Sequence, residues 1–221
     1  MIYLAAALFG GIVGLDGTAF PQAMISRPIV AGAIAGWIVG QPLEGAMIGA
    51  MLETFHLAIL PIGAARYPES GTAAAAAAYA FAWANASNTA VSLLLALAFA
   101  LVWERLTGGS VNVQRRVNEY VVALWGSTHT TGAVERRHLL AMSLDFARGA
   151  AVTMAGAGAG VLWLRVMDPI WNLGPGFAGG VIVAAAAGTA AAAIRVFGGW
   201  SARWKLFVAG LCAGLLFLLV R

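Results

Sequence analysis

Apolar residues fill long blocks of this chain, and short polar or proline-containing breaks separate the blocks. Three blocks near the C-terminal end, at residues 149–166, 177–196 and 206–220, are each close to the roughly 20 residues that a helix needs to cross a bilayer. The pattern predicts an all-α, polytopic membrane helix bundle. We expect residues 1–221 to form a single integral membrane domain.

The blocks in the N-terminal third are shorter. Residues 2–15 are apolar, and the run between Arg27 and Pro42 would give about 22 Å of helix, against a hydrocarbon core of about 30 Å. Pro42 and Pro61 bracket the next block. Short hydrophobic segments interrupted by Pro and Gly are typical of the broken helices that surround transport sites. We therefore predict short or broken helices here.

The block at residues 72–103 is rich in alanine and longer than one crossing requires. Its polar interruption consists of Asn85, Ser87 and Asn88. This pattern predicts two helical pieces joined at the polar break, or one long bent helix.

Residues 104–148 form the one sustained polar region, and it carries six arginines. The positive-inside rule places such a region in the cytoplasm. Val113, Val117 and Val121 recur at helical spacing, as do apolar residues over 134–146. We expect amphipathic cytoplasmic helices that lie along the membrane face or under the bundle.

The composition excludes several classes of protein. With 61% hydrophobic and 10% charged residues, the chain is far from a soluble globular profile. The net charge of +4 is spread between apolar blocks, so the basic patch that nucleic-acid binding requires is missing. Residues 2–15 follow no basic stretch and precede no A-x-A pattern, so we expect a retained first membrane segment.

The sequence also argues against metal and phosphoryl-transfer chemistry. Cys212 is the single cysteine, and His129 and His138 have no partners at ligand spacing. No P-loop is present, and no histidine lies in a recognisable motif. We expect no metal, no cofactor and no enzyme activity of the chain's own.

Glu53 lies in otherwise apolar sequence, where an ionised side chain costs about 2.5–3.5 kcal/mol on insertion scales. Gly45, Gly49, Glu53 and His56 share one side of a helix. The small residues allow another backbone to approach, so the carboxylate should face a neighbouring helix. It then either binds a substrate or pairs with an arginine to fix the helix register.

Several motifs together resemble the IIC membrane subunit of the mannose-type (mannose/fructose/sorbose) sugar phosphotransferase system. They include Asp16 after the first segment, SRPIVAG at 26–32, a run ending in GAMLE at Glu53, and PIGAARYPE at 61–69. Fainter likeness continues through ALWGSTHTTG, DFARGAAVT and the last glycine- and alanine-rich block. The resemblance implies a helical, multi-pass subunit of the bacterial cytoplasmic (inner) membrane.

The resemblance also implies partners and a substrate. Such a subunit pairs with a second membrane subunit, IID, in an oligomer surrounded by lipid. It takes a hexose that the soluble IIA and IIB proteins phosphorylate. Gene neighbours encoding IIA, IIB and IID would support this reading.

A hexose presents many hydroxyls, so its site needs carboxylates and amides as acceptors, with an aromatic ring over one face. Phe55, Tyr67 and Trp37 are possible stacking partners, and Arg27 or Arg66 could instead pair with Glu53. Arg66 could also pair with Glu69, and Asp16 could simply cap a turn. The predicted substrate-binding residues are Glu53, His56, Asp16, Gln22 and Glu69.

Two other functions fit the sequence. The chain could be a proton- or cation-coupled carrier that uses Glu53 and His56 as a relay, since ionisable residues inside membranes often have such roles. It could also be a non-transporting scaffold or sensor that docks soluble phosphotransferase proteins on its arginine-rich helices.

Overall fold

The computed structural model describes residues 1–56, 68–85, 89–123, 131–171, 174–196 and 198–220. These ranges contain eight helices and no strand. The predicted all-α fold of a helical membrane protein is confirmed.

The helices of the N-terminal third are short, as predicted, and prolines and glycines set their bounds. They are α1 (Ile2–Thr18), α2 (Pro28–Ile38), α3 (Pro42–His56) and α4 (Ser70–Ala84). Proline suits the first turn of a helix because the amide it lacks has no partner there. Gly40, at φ +79, gives the turn between α2 and α3 its left-handed residue.

The alanine-rich block forms two helices, as one of the two alternatives predicts. Helix α4 ends at Asn85, whose left-handed backbone caps it, and α5 (Thr89–Ala123) follows. The intervening Ser87 and Asn88 lie outside the described residues. The remaining helices are α6 (Thr131–Ile170), α7 (Pro175–Val196) and α8 (Gly199–Val220).

The polar middle of the chain differs from its prediction. It forms no separate amphipathic helices within the described residues, because α5 and α6 continue from it into apolar sequence over 35 and 40 residues. Helices of that length exceed the roughly 30 Å hydrocarbon core by about 20 Å or more. These two helices are also the described ones that are long and apolar enough to cross a membrane.

Helix α4 is the centre of the bundle. It contacts α1, α2, α3, α5 and α6, and the alanines from Ala73 to Ala78 are at most 2% exposed. Methyl side chains let five neighbouring helices approach the same helix. This arrangement places the N-terminus of α4, with Glu69 at its cap, inside the bundle.

Helices α2 and α3 form a hairpin packed through glycines. A Cβ atom at Gly32 would lie 2.5 Å from the carbonyl oxygen of Gly45, and one at Gly45 would lie 2.7 Å from the Cα of Gly36. Real Cβ atoms do not come so close to backbone atoms. The hairpin therefore requires glycine at these positions.

Gly45→Ala should lower the free energy of unfolding by about 1–3 kcal/mol, because the added methyl group must push two backbones apart. Gly109→Ala is the matched control, since a Cβ atom there meets nothing within 4 Å. It should stabilise α5 by about 0.5–1 kcal/mol. Thermal unfolding of both variants in detergent measures the difference, and equal effects would contradict the close packing.

Candidate functional site

A cavity of about 420 Å³ lies where α1 ends, where α2 and α4 begin, and where α3 ends. Its volume falls in the range of ordinary small-molecule sites. Four of the five predicted site residues line it, namely Asp16, Gln22, His56 and Glu69. Its other polar lining side chains are Thr18, Ser26, Arg27, Ser70 and Thr72.

Asp16 organises the loop between α1 and α2. Its carboxylate is buried and accepts hydrogen bonds from the backbone amides of Ala23, at 2.6 Å, and Ser26, at 2.8 Å. These bonds fit the capping role that the sequence left open for Asp16. Ser26 does not cap α2, because Arg27 is the N-cap residue and forms no side-chain cap bond.

The same loop holds two residues in the left-handed backbone region. Gln22 has φ 58 and Met24 has φ 63. Both are exposed and line the cavity, so they lie at its open edge, the cavity mouth. Such a conformation costs a non-glycine residue on the order of 1–3 kcal/mol and persists where the surrounding structure enforces it. The amides that Asp16 holds, those of Ala23 and Ser26, lie directly after Gln22 and on either side of Met24, so these bonds supply that constraint.

Glu69 and Arg148 form a paired contact at the start of α4. Arg148 donates from Nη1 to Oε2 of Glu69 at 2.8 Å and from Nη2 to Oε1 at 2.9 Å. Both side chains are only 9% exposed. The partner predicted for Glu69, Arg66, lies outside the described residues. The two parallel bonds hold the Glu69 carboxylate in one plane.

Asp145 extends this cluster towards α1. Its Oδ1 accepts from Nε of Arg148 at 2.9 Å, and its Oδ2 accepts from the hydroxyl of Thr18. Close packing brings the two helices together, because a Cβ atom at Gly14 would lie 2.5 Å from the Cα of Gly149. An ion pair therefore joins α4 and α6 and reaches the end of α1.

His56 contacts Glu104 of α5. The His56 Nε2 atom lies 2.7 Å from Oε2 of Glu104, and the side chains are 8% and 0% exposed. The backbone oxygen of Glu104 accepts from the amide of Glu69 at 3.1 Å. Glu104 thus links the end of α3 to the start of α4.

Glu53 does not line the cavity as the structure describes it. It faces α2, as the glycine spacing predicts, and its Oε1 lies 2.7 Å from Nη2 of Arg27. Arg27 in turn lines the cavity. This geometry corresponds to the alternative in which Glu53 pairs with an arginine to fix the helix register. Glu53 contacts Arg27, whereas His56 contacts Glu104.

The predicted aromatic partners do not reach the cavity where they are described. Trp37 is 74% exposed at the end of α2, and Phe55 packs against the core formed with α4 and α5. Tyr67 lies outside the described residues. The cavity-lining residues that the structure describes include no Phe, Tyr or Trp.

Sequence reasoning missed Glu104, Asp145 and Arg148 because it assigned them to the cytoplasmic polar region. One signal was present, since Asp145 and Arg148 are an opposite charge pair at i, i+3 directly before a run of small residues. His138 lies on α6, and His129 is outside the described residues. Among the described residues, no three His, Cys, Asp or Glu side chains converge as metal ligands would.

The fold and the cavity define a class: an all-α membrane protein whose short N-terminal helices surround a cavity with two buried carboxylates in its lining. The model of the family described as "PTS system sorbose-specific iic component" matches residues 1–185. The chain belongs to this family of phosphotransferase system (PTS) membrane components. The resemblance to a mannose-type IIC subunit is thereby confirmed.

Two further similarities agree with this family. Over 67 residues the chain is 34% identical to the "PTS system sorbose-specific EIIC component" of Lacticaseibacillus casei, which covers 30% of this chain and 24% of that protein. The match therefore spans about a quarter of the relative. A solved structure described as "Structure of membrane protein" has a TM-score of 0.67 at 19% identity, covering 99% of this chain and 90% of that chain. At this identity it shows a shared fold alone.

Proposed function

We propose that this chain is the sugar-translocating IIC subunit of a phosphoenolpyruvate-dependent PTS. It binds a hexose in the cavity and passes it to a IIB partner for phosphorylation. The observation that carries the proposal is the meeting of Asp16, Gln22, His56 and Glu69 around one 420 Å³ cavity. Asp16 comes from the end of α1 and Gln22 from the segment that joins α1 to α2, and His56 and Glu69 come from the end of α3 and the start of α4.

The cavity has the chemistry that a hexose requires. Each sugar hydroxyl can donate one hydrogen bond and accept others, so carboxylates, amides and imidazoles all serve as partners. A carboxylate has about four acceptor positions, and Asp16 uses two of them on the backbone amides of the loop. The remaining positions are available to hydroxyl donors.

We assign Glu53 a supporting role in this site. Glu53 forms an ion pair with Arg27. Arg27 lines the cavity, whereas Glu53 is not among the lining residues. Arg27 is a donor only, so it complements the carboxylates across the cavity by offering hydrogen bonds to sugar oxygens.

The partners follow from the family. We propose that the chain works in the bacterial inner membrane as a multi-pass subunit, in an oligomer with a IID membrane subunit. Soluble IIA and IIB proteins supply the phosphoryl group, so this chain contributes no phosphoryl-transfer residue. The relative from Lacticaseibacillus casei, named as a sorbose-specific component, supports ketoses among the sugars to test.

The test uses two glycine substitutions in the loop of the cavity. Gln22→Gly removes an amide from the cavity mouth, and its positive φ suits glycine. We expect the affinity for L-sorbose, D-fructose or D-mannose to fall by roughly three- to ten-fold, the value of a single hydrogen bond. Titration calorimetry on the complex with its membrane partner measures this.

Met24→Gly is the matched control. It relieves the same backbone conformation, also at the cavity mouth, but removes no hydrogen-bonding group. Its thermal stability should change like that of Gln22→Gly, while sugar affinity stays within about two-fold, less than one hydrogen bond contributes. A complex that binds none of the three sugars would favour the scaffold function instead.

A further inference from the structure

Arg148 contacts the cavity residues from behind, since it is not among the residues that line the cavity. Its guanidinium donates to both oxygens of Glu69, to Oδ1 of Asp145 and, at 3.1 Å, to the hydroxyl of Ser110. Four of the five N–H groups of an arginine are thus accounted for. Helices α5 and α6 and the start of α4 meet at this one side chain.

These bonds leave Glu69 with acceptor capacity towards the cavity. Each carboxylate oxygen can accept about two hydrogen bonds, and Arg148 uses one on each oxygen. Asp16 shows the same pattern, with one backbone amide on each oxygen. Two buried carboxylates therefore line the cavity. Asp16 is held by two donors, and Glu69 is held by the two bonds from Arg148 and by a hydrogen bond from Thr72, so at least one of the roughly four acceptor positions remains on each.

The charge of Glu69 also depends on Arg148. A buried carboxylate stays ionised only where a cation or several donors compensate for the lost water. Among the described residues that contact the Glu69 side chain, Arg148 is the cation. Asp145 would repel Glu69 without it, because both carboxylates bind the same guanidinium.

We propose that Arg148 is a positioning residue for the sugar site. It holds the Glu69 carboxylate ionised and in a fixed orientation, so that Glu69 accepts a particular sugar hydroxyl. Arg148 itself does not contact the sugar. The inference rests on the proposed function, because it concerns the same cavity.

The experiment combines Arg148→Lys with sugars that lack single hydroxyls. The probe is whichever of L-sorbose, D-fructose and D-mannose binds most tightly to the wild-type complex, together with its monodeoxy derivatives. In the wild type, one deoxy derivative should bind about ten-fold or more weakly, since its missing hydroxyl donates to a charged acceptor. The measured quantity is the ratio of the dissociation constant of this deoxy derivative to that of the parent sugar. Glu69→Gln should reduce this ratio to about three-fold, the value of a neutral hydrogen bond.

Arg148→Lys should reduce the same ratio for the same derivative, although position 148 lies outside the cavity lining. Lysine keeps the charge but cannot form the two parallel bonds. A purely structural arginine would instead change thermal stability and leave the ratio unchanged per folded molecule. Arg165→Lys, at an exposed arginine of the same helix, is the control and should leave the ratio unchanged.

The possible outcomes separate two failures. If the wild-type complex binds sugar and Arg148→Lys leaves the ratio of dissociation constants unchanged, the positioning role alone is overturned. A wild-type complex with no affinity for any of the sugars overturns the proposed function and this inference with it. If Arg148→Lys does not accumulate, Asp145→Ala replaces it, because it removes the acceptor of the Nε atom of Arg148 and should reduce the same ratio.

Discussion

Arg148→Met should lower the free energy of unfolding by about 3–5 kcal/mol, the usual effect of removing one partner from a buried ion pair. Methionine retains much of the volume but leaves Glu69 and Asp145 without their shared cation. Both carboxylates are buried, so water compensates only in part for the lost cation. Denaturant unfolding of the purified complex in detergent measures the loss.

Two further variants show that charge, not packing, causes the loss. Arg165→Met changes an exposed arginine of the same helix and should cost less than about 1 kcal/mol. Adding Glu69→Gln and Asp145→Asn to Arg148→Met removes the stranded charges and should recover about half of the lost stability or more. A single Arg148→Met variant as stable as the wild type would contradict the buried pair.

Asp16→Asn should destabilise the loop between α1 and α2 by about 2–3 kcal/mol. The two oxygens of Asp16 accept from Ala23 and Ser26, and hydrogen bonds to a charged acceptor are worth roughly 1.5–3 kcal/mol each. Asparagine can accept only one of the two amides and turns its own NH₂ group towards the other. Hydrogen exchange at the amides of Ala23 and Ser26 should accelerate more than ten-fold.

Glu53→Gln is the comparison for this change from carboxylate to amide. Glu53 pairs with the side chain of Arg27, which is 48% exposed and remains accessible to solvent after the change. The amide of Ile29 donates to Glu53 only at a long distance, 3.4 Å. The expected loss is about 1 kcal/mol or less. Equal losses for Asp16→Asn and Glu53→Gln would mean that the amides of Ala23 and Ser26 do not depend on Asp16.

The local features of this fold follow from the sequence. Prolines mark the starts of α2 and α3, Gly40 lies in the turn between them, and the polar break at Asn85 separates α4 from α5. The spacing of Gly45, Gly49 and Glu53 also predicts that the carboxylate faces a neighbouring helix. Each of these inferences uses residues within one or two helical turns, where helix geometry fixes which side chains are adjacent.

The partners of the buried charges could not be predicted in this way. Arg148 lies 79 positions from Glu69, and Glu104 lies 48 positions from His56. The positive-inside rule treats every arginine near a membrane segment alike, so it assigned Arg148 to the cytoplasm. The close approach of α1 and α6 at Gly14 and Gly149 and the 9% exposure of the Arg148 side chain show that this arginine packs between helices, a contact that the rule does not consider.

The alanines of α4 also have a consequence for the entropy of folding. An alanine loses no rotamer freedom when it is buried, whereas a leucine or a methionine loses about 0.5–2 kcal/mol. The six residues from Ala73 to Ala78 therefore become ordered at no side-chain entropic cost. Within a membrane the hydrophobic effect does not draw helices together. Because α4 packs against five helices without loss of side-chain rotamer freedom, van der Waals contacts can be sufficient for its association with them.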